Sequence, residues 1–546
     1  MRSRYIMAVG LLFLSACNFK SKQADLIIHN ANIYTADVGF TTASAVAIVD
    51  GKIVAVGAER AIMNFYRADE YIDCQKQYVY PGFNDAHCHF VRYGTGLLDV
   101  DLVGTKSWDE CIERVKTHRE KYPDQEWIKG WGWDQNDWEV KEWPNRELLD
   151  ELFPNVPMSL ERIDGHATVI NEKAMEIAGV DRSSHYDGGE ILKDEKGEVT
   201  GLLIDNAMEY IRSVIPEARG EELDKGILAA QKNCLAVGLT SITEAGLPPY
   251  KINAIKELQG SGELKMRVNA MLDPIEESME WIRKGPYQDA RLSVRSIKLY
   301  GDGALGSRGA LLKRPYSDDH GNHGLMREDP TFYRKWAEIA IKHEFQLNTH
   351  CIGDRGNEFI LDLYKDLLKG TNDRRWRIEH AQVVDLKDMH LFKDHSIIPS
   401  VQPTHATSDM YWAETRLGKE RMEGAYSYNS LMGQNGFIPL GTDFPIEGID
   451  PLNTFYSAVF RQDKEGFPEG GFRIEEALSR QDALKGMTIW PALACFEDTL
   501  KGSIELGKFA DFTVLDVDLM EASPELIKKA KVVRTIIGGE TVYRRN

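Results

Sequence analysis

The stretch PGFNDAHCHF, residues 81–90, carries two histidines, His87 and His89, separated by one residue at the end of an apolar run. Side chains of a strand alternate between its faces, so positions i and i+2 point the same way. Two imidazoles on one face, about 6–7 Å apart along the strand, can share a metal ion. The same spacing also fits two surface histidines beside a turn. A bound divalent ion acidifies water and polarises carbonyl oxygens, so the first reading carries hydrolytic chemistry and the second carries none. The rest of the chain has to separate them.

Eight strand-like runs follow one another, most with room for a helix between. They cover residues 77–89, 238–246, 265–272, 294–303, 345–354, 375–382, 397–405 and 437–445. Eight parallel strands alternating with helices predict an α/β fold, a (β/α)8 TIM-type barrel, in which reactive groups gather at the C-terminal strand ends. His87, His89, Lys298, His350, His380 and Asp443 all fall near such ends. Taken singly, each has a plainer role. His350 or His380 alone would be a core histidine, and Lys298 would pair with Asp302 four residues on. Asp443 would be a turn residue ahead of Pro445. Taken together, in order and at strand ends, they favour one metal centre.

Short β-rich runs over residues 25–58, with Asp50-Gly51 as a hairpin turn, are matched by 507–518 and 532–544. They predict a small β-sandwich domain built from both termini, residues 25–76 and 491–546, around a barrel over 77–490. The gap after the first barrel strand is too long for one loop. It predicts an inserted, Trp-rich lobe over about 105–235, including EWIKGWGWDQNDW.

Composition narrows the classes. A net charge of −19 without a long basic run argues against nucleic acid as a partner. Mean hydropathy is −0.38, and no apolar run after the N-terminus is long enough for a span. The N-terminus itself reads MRSR, a short apolar core, then LSAC. That order predicts a signal peptide over 1–16. Leu14-Ser15-Ala16-Cys17 resembles the lipobox of bacterial lipoproteins, which implies acylation of Cys17 and a polar tether over 17–24. The expected location is outside the cytoplasm, periplasmic or surface side, with membrane contact through the lipid anchor only. Self-association as a homo-oligomer stays open. Six further cysteines in an exported chain of this length do not make a disulfide scaffold.

Seven motifs in order, PGFNDAHCHF, SIKLYGDGALGSRGA, NTHCIGDRGNE, RWRIEHAQVVD, SVQPTHATSDMYW, LGTDFPIEGIDPL and KGSIELGKFADFTVLD, resemble the amidohydrolase superfamily. More narrowly they resemble its YtcJ-like branch, which includes N-substituted formamide deformylases. The resemblance runs from about residue 25 to the C-terminus. It implies His87, His89, His350 and His380 as metal ligands, with Asp443 closing the site as ligand and catalytic proton carrier. It matches Lys298 to a fourth-strand lysine that many relatives carry as a carbamate bridging two ions. Nitrogen and oxygen ligands of this kind suit Zn²⁺, with Mn²⁺ or Fe²⁺ admitted, as one ion or two.

By the same resemblance Trp133, Asp164, His166, Gln402 and His405 line the substrate pocket, and Glu244 supports the centre. The expected activity is hydrolysis of a C–N bond in a formamide, N-acyl amine or cyclic amide. A deaminase on the same barrel and a non-catalytic binding lipoprotein are the alternatives. None of the six ligand positions is missing, which favours an enzyme.

Overall fold

The computed structural model describes residues 21–545 apart from 164, 187 and 188. Cys17, the signal segment and Asp164 therefore lie outside the described residues. Seven parallel strands form the central sheet in sequence order: Phe83–Cys88, Leu239–Leu247, Arg267–Leu272, Leu292–Tyr300, Gln346–Cys351, Arg377–His380 and Ile398–Ser400. The second to fourth strands are buried almost throughout, as a parallel sheet with both faces covered must be.

The eighth run does not form a regular strand. Pro439 lacks an N–H and shortens the ladder. The segment still closes the sheet, because Leu440 bridges Val401 in parallel and Gly441 N donates to Val401 O. On the other side Leu440 O accepts from Ala86 N, and Asp443 N donates to His87 O at 2.8 Å. A Cβ at Gly441 would lie 2.6 Å from His87 N, so only glycine allows this approach. Buried Asp85 clasps the seam, accepting from His87 N, Thr442 N and the Thr442 hydroxyl.

Helices wrap the outside of the sheet. One of them, Pro330–Lys342, starts where Asp329 caps Thr331 N and Pro330 takes the first position. The helix Gly220–Ala236, which the sequence reading placed in the lobe, packs instead on Phe90–Gly96 as part of the barrel wall. Gly94 and Gly226 meet at that crossing, where a Cβ on Gly94 would strike the Gly226 carbonyl. Before this helix, residues 100–205 supply a separate six-stranded sheet with its own apolar cluster around Trp133, Trp138 and Leu160.

Two further sheets come from the chain ends. One joins residues 22–29, 45–49, 52–57 and 66–73. The other pairs Phe512–Leu515 antiparallel with Tyr78–Pro81, which leads directly into the first barrel strand. Leu26, Ile28, Val46, Val79, Phe512 and Ile536 share one apolar cluster between these sheets. Among the described residues all six cysteines are free and buried, and no helix is long and apolar enough to cross a membrane.

Candidate metal centre

At the C-terminal end of the barrel the first strand delivers His87 from within the ladder and His89 from the position capping the helix Phe90–Gly96. Their ring centroids are 5.7 Å apart, and both face Asp443: His89 Nε2 lies 3.3 Å and His87 Nε2 3.7 Å from its Oδ1. His380 ends the sixth strand with its ring 4.9 Å from that of His87 and 4.5 Å from that of His350. Strand alternation would send consecutive Glu379 and His380 to opposite faces. A left-handed backbone at His380 (φ 73°) and Ala381 (φ 41°) turns His380 back, so both residues serve one centre. Asp443 also holds a positive φ of 61°. Such conformations cost about 1–3 kcal/mol each and persist where the surrounding structure fixes them.

Two side-chain contacts set the histidine tautomers. His87 Nδ1 donates to Glu379 Oε2 at 2.6 Å, and His380 Nδ1 donates to Gln402 Oε1 at 2.7 Å. In each ring this makes Nε2 the unprotonated nitrogen, the one able to ligate a metal. Burial holds His87 down to about 4 and His350 down to about 3, with the nearby Lys298 charge adding to both, and it pushes His380 well below the ordinary range. Neutral imidazoles are the ligating form. Burial opposes ionisation of Asp443, yet His89, His87 and His380 hold its carboxyl well below the usual carboxylate range.

Lys298 is fully buried, its Nζ 3.3 Å from His87 Nε2 and 4.8 Å from the Tyr300 ring. Burial lowers it to about 8, against the pull of Glu379 and Asp443. The Lys298–Asp302 pair permitted by spacing is not formed. Asp302 instead accepts the backbone N–H groups of Leu311, Ile352 and Gly353, and so fixes the loop that follows His350.

The donors fit a divalent cation. His87, His89 and Asp443 bring one ligand atom each within 4.8 Å of one another. His350 Nε2, with Asp302 Oδ1 at 3.5 Å, His405 Nε2 and Asp443 Oδ1, with His89 Nε2 at 3.3 Å, are buried and make no well-formed hydrogen bond, a state worth about 1–3 kcal/mol of lost stability unless a ligand satisfies it.

The remaining expectations divide. Gln402 supports His380 from beneath and is itself buried, so its side-chain oxygen is committed to that ring and not to a substrate. His405 stands beside Asp443, Nε2 to Oδ2 at 3.6 Å. Trp133 does not line a pocket: its indole is fully enclosed in the lobe core and donates to Leu160 O. His166 sits exposed on the lobe and bonds Asp205. Glu244 accepts Val91 N, and thus anchors the helix that begins beside His89 rather than touching a histidine.

The sequence reading missed Arg377 and Glu379. They lie i, i+2 on the sixth strand and form a fully buried ion pair at 2.7 Å. The guanidinium also donates to Ala86 O and Ser400 Oγ. Two charges in a strand buried throughout were the available signal.

A sequence profile of the amidohydrolase family matches residues 70–543. YtcJ of Bacillus subtilis (strain 168) is 31% identical over 531 residues, covering 95% of this chain and 99% of that protein. The N-substituted formamide deformylase of Arthrobacter pascens is 26% identical over 548 residues, or 96% of this chain and 99% of the relative. A solved structure described as an uncharacterized metal-dependent hydrolase from Pyrococcus horikoshii OT3 is similar with a TM-score of 0.79. Its identity is 29%, over 92% of this chain and 99% of that one.

Proposed function

The chain belongs to the amidohydrolase family, and from that premise we propose that it hydrolyses a C–N bond in an amide-like substrate: a formamide, an N-acyl amine or a cyclic amide. The observation that carries this reading is the meeting of His87, His89, His380 and Asp443 from three separate chain segments, with Glu379 and Gln402 fixing two of the rings. Likeness to the formamide deformylase over nearly the whole chain supports the substrate class.

The divalent ion, Zn²⁺ in this reading, acidifies water and polarises the substrate carbonyl when bound. Asp443, held ionised, accepts the proton from attacking water at a carboxylate oxygen and passes it to the leaving nitrogen. His87 and His380 stay neutral because burial opposes their charging, and the Nδ1 protons committed to Glu379 and Gln402 leave Nε2 as the ligating nitrogen. A protonated Lys298 would be repelled by a dication. Its pKa, lowered to about 8, raises the share of neutral amine, which can add to carbon dioxide with loss of one N–H proton to solvent, giving a carbamate whose oxygens would be anionic ligands.

Metal analysis of purified protein, combined with a screen of formamides, N-acyl amines and cyclic amides, tests the reading. The expected result is at least one tightly held divalent ion per chain and turnover of one of these classes. Carbon-13 bicarbonate should give a carbamate resonance that Lys298→Ala removes. A metal-loaded protein that cleaves none of the three classes would overturn the assignment.

We also propose that the mature chain begins at an acylated Cys17 and is held on a bacterial cell membrane, on its periplasmic or surface side, by that anchor alone. Cys17→Ser is expected to move the protein from the membrane fraction to the soluble one, or to block processing. Labelled fatty acid entering the Cys17→Ser protein as readily as the original would disprove it. A single acyl chain binds membranes only marginally, whereas lipoprotein modification adds several.

A further inference from the structure

We infer that Asp273, together with the ring of Tyr300, forms a subsite for a protonated amine, so that the chain prefers amides that carry an ammonium group. The inference rests on the amide-hydrolysis reading above and adds the feature by which that site would choose among amides.

The register of the third barrel strand fixes where Asp273 points. Met271 lies beside Ser296 and Leu272 beside Ile297 of the fourth strand. Leu272 and Ile297 both join the apolar cluster shared with the surrounding helices. Alternation then turns Asp273 inward, level with Lys298. Asp273 N still donates to Leu247 O at 3.0 Å, which keeps this extension tied to the second strand. Gly246, at a φ of 106°, makes the room. A Cβ there would lie 2.8 Å from Asp273 Oδ1 and 3.4 Å from Lys298 Cγ, so carboxylate and lysine stem flank the same glycine.

Nothing in the protein uses this carboxylate. Glu244 on the second strand accepts Val91 N, and Asp302 after the fourth accepts three backbone N–H groups. Among the described residues the Asp273 side chain makes neither a hydrogen bond nor an ion pair. Two cations stand nearby. Lys251 is held by Glu217 at 3.4 Å, and Arg92 is exposed on the helix Phe90–Gly96. Burial pushes the Asp273 carboxyl up against the pull of Lys251, so the group is short of positive charge.

Tyr300 supplies the apolar half. It follows Lys298 by two residues, is 39% exposed, and sets its ring 4.8 Å from Lys298 Nζ and 5.7 Å from the His350 ring. Desolvation raises its phenol and the Asp273 charge adds to this, which places the two side chains in one neighbourhood. An ammonium group held between an aromatic ring and a carboxylate gains a cation–π contact and a charge-assisted hydrogen bond. A neutral substrate would instead leave Asp273 desolvated without a partner.

The test compares amides of matched length: the N-formyl and N-acetyl derivatives of putrescine, pentylamine and γ-aminobutyrate, which end in an ammonium, a methyl and a carboxylate. In the original, kcat/KM for the ammonium amide should exceed that for the neutral one by about 10-fold or more through KM, the scale of one charge-assisted hydrogen bond. Asp273→Asn should remove most of that ratio and Tyr300→Leu part of it, each with the metal content of the original. An unchanged ratio in Asp273→Asn, a preference for the carboxylate amide, or loss of bound metal in Asp273→Asn would overturn the subsite while leaving amide hydrolysis intact. Calorimetry of putrescine on the metal-loaded protein reads the subsite without turnover. Binding that Asp273→Asn weakens supports it even where no amide is cleaved, and the lack of cleavage then counts against the amide reading alone. Equal putrescine binding by the original and Asp273→Asn would overturn the subsite.

Discussion

Replacing His87 and His89 together by alanine is expected to strip the bound ion and cut hydrolysis on the order of 10³-fold or more, an effect of about 4 kcal/mol on the barrier. The two rings are the only ligands supplied by the first strand, and both converge on Asp443 Oδ1. Without them Asp443 loses the two neighbouring imidazoles that hold it ionised, so the proton acceptor weakens along with the ion. The fold should survive. Asp85 still clasps Thr442 across the barrel seam, and Glu379 still has Arg377. Elemental analysis, together with the rate on whichever amide the screen returns, measures the outcome. Full metal occupancy in the double variant would remove these histidines from the centre.

The legible parts of this protein are those set by local periodicity. The His-x-His pair is readable because strand alternation is a two-residue rule, and the barrel is readable because buried parallel strands appear as apolar runs. Seven of the eight runs became strands in order. The eighth closes the sheet through scattered bonds, because a proline at 439 and a tight approach at Gly441 interrupt the ladder. Periodicity could not show that the backbone at His380 and Asp443 adopts a positive φ, which decides where both side chains point.

Partnership across long separations was the other blind spot. Trp133 was placed in the pocket by resemblance, but it packs with Trp108 and Trp138 inside the lobe. Glu379 went unmarked beside His380. Its role depends on His87, which lies 292 residues earlier and meets it only once the sheet has curled round. Gln402 and His405 were placed near the substrate by resemblance. The structure puts the first under His380 and the second against Asp443.

Glu379→Ala is accordingly expected to have two separable effects. Removing one partner of a fully buried ion pair leaves Arg377 uncompensated, which costs about 3–5 kcal/mol. It also frees the His87 ring from its tautomer, which should weaken metal binding about 10–100-fold. The pH dependence has a definite sign. Burial opposes ionisation of Glu379, but Arg377 and His87 hold it at about 2 against an ordinary 4.5. A depressed carboxylate contributes stability that is present above about 4.5 and lost as pH falls through about 2. Urea unfolding with chelator present should therefore show the gap between the original and Glu379→Ala narrowing from pH 6 to pH 3. A gap that widens on acidification would refute the buried pairing. The double variant Arg377→Met, Glu379→Leu divides the roles, since apolar replacement of both partners removes the unpaired charge. Much of the stability should return, while metal affinity stays low because nothing then accepts the His87 Nδ1 proton.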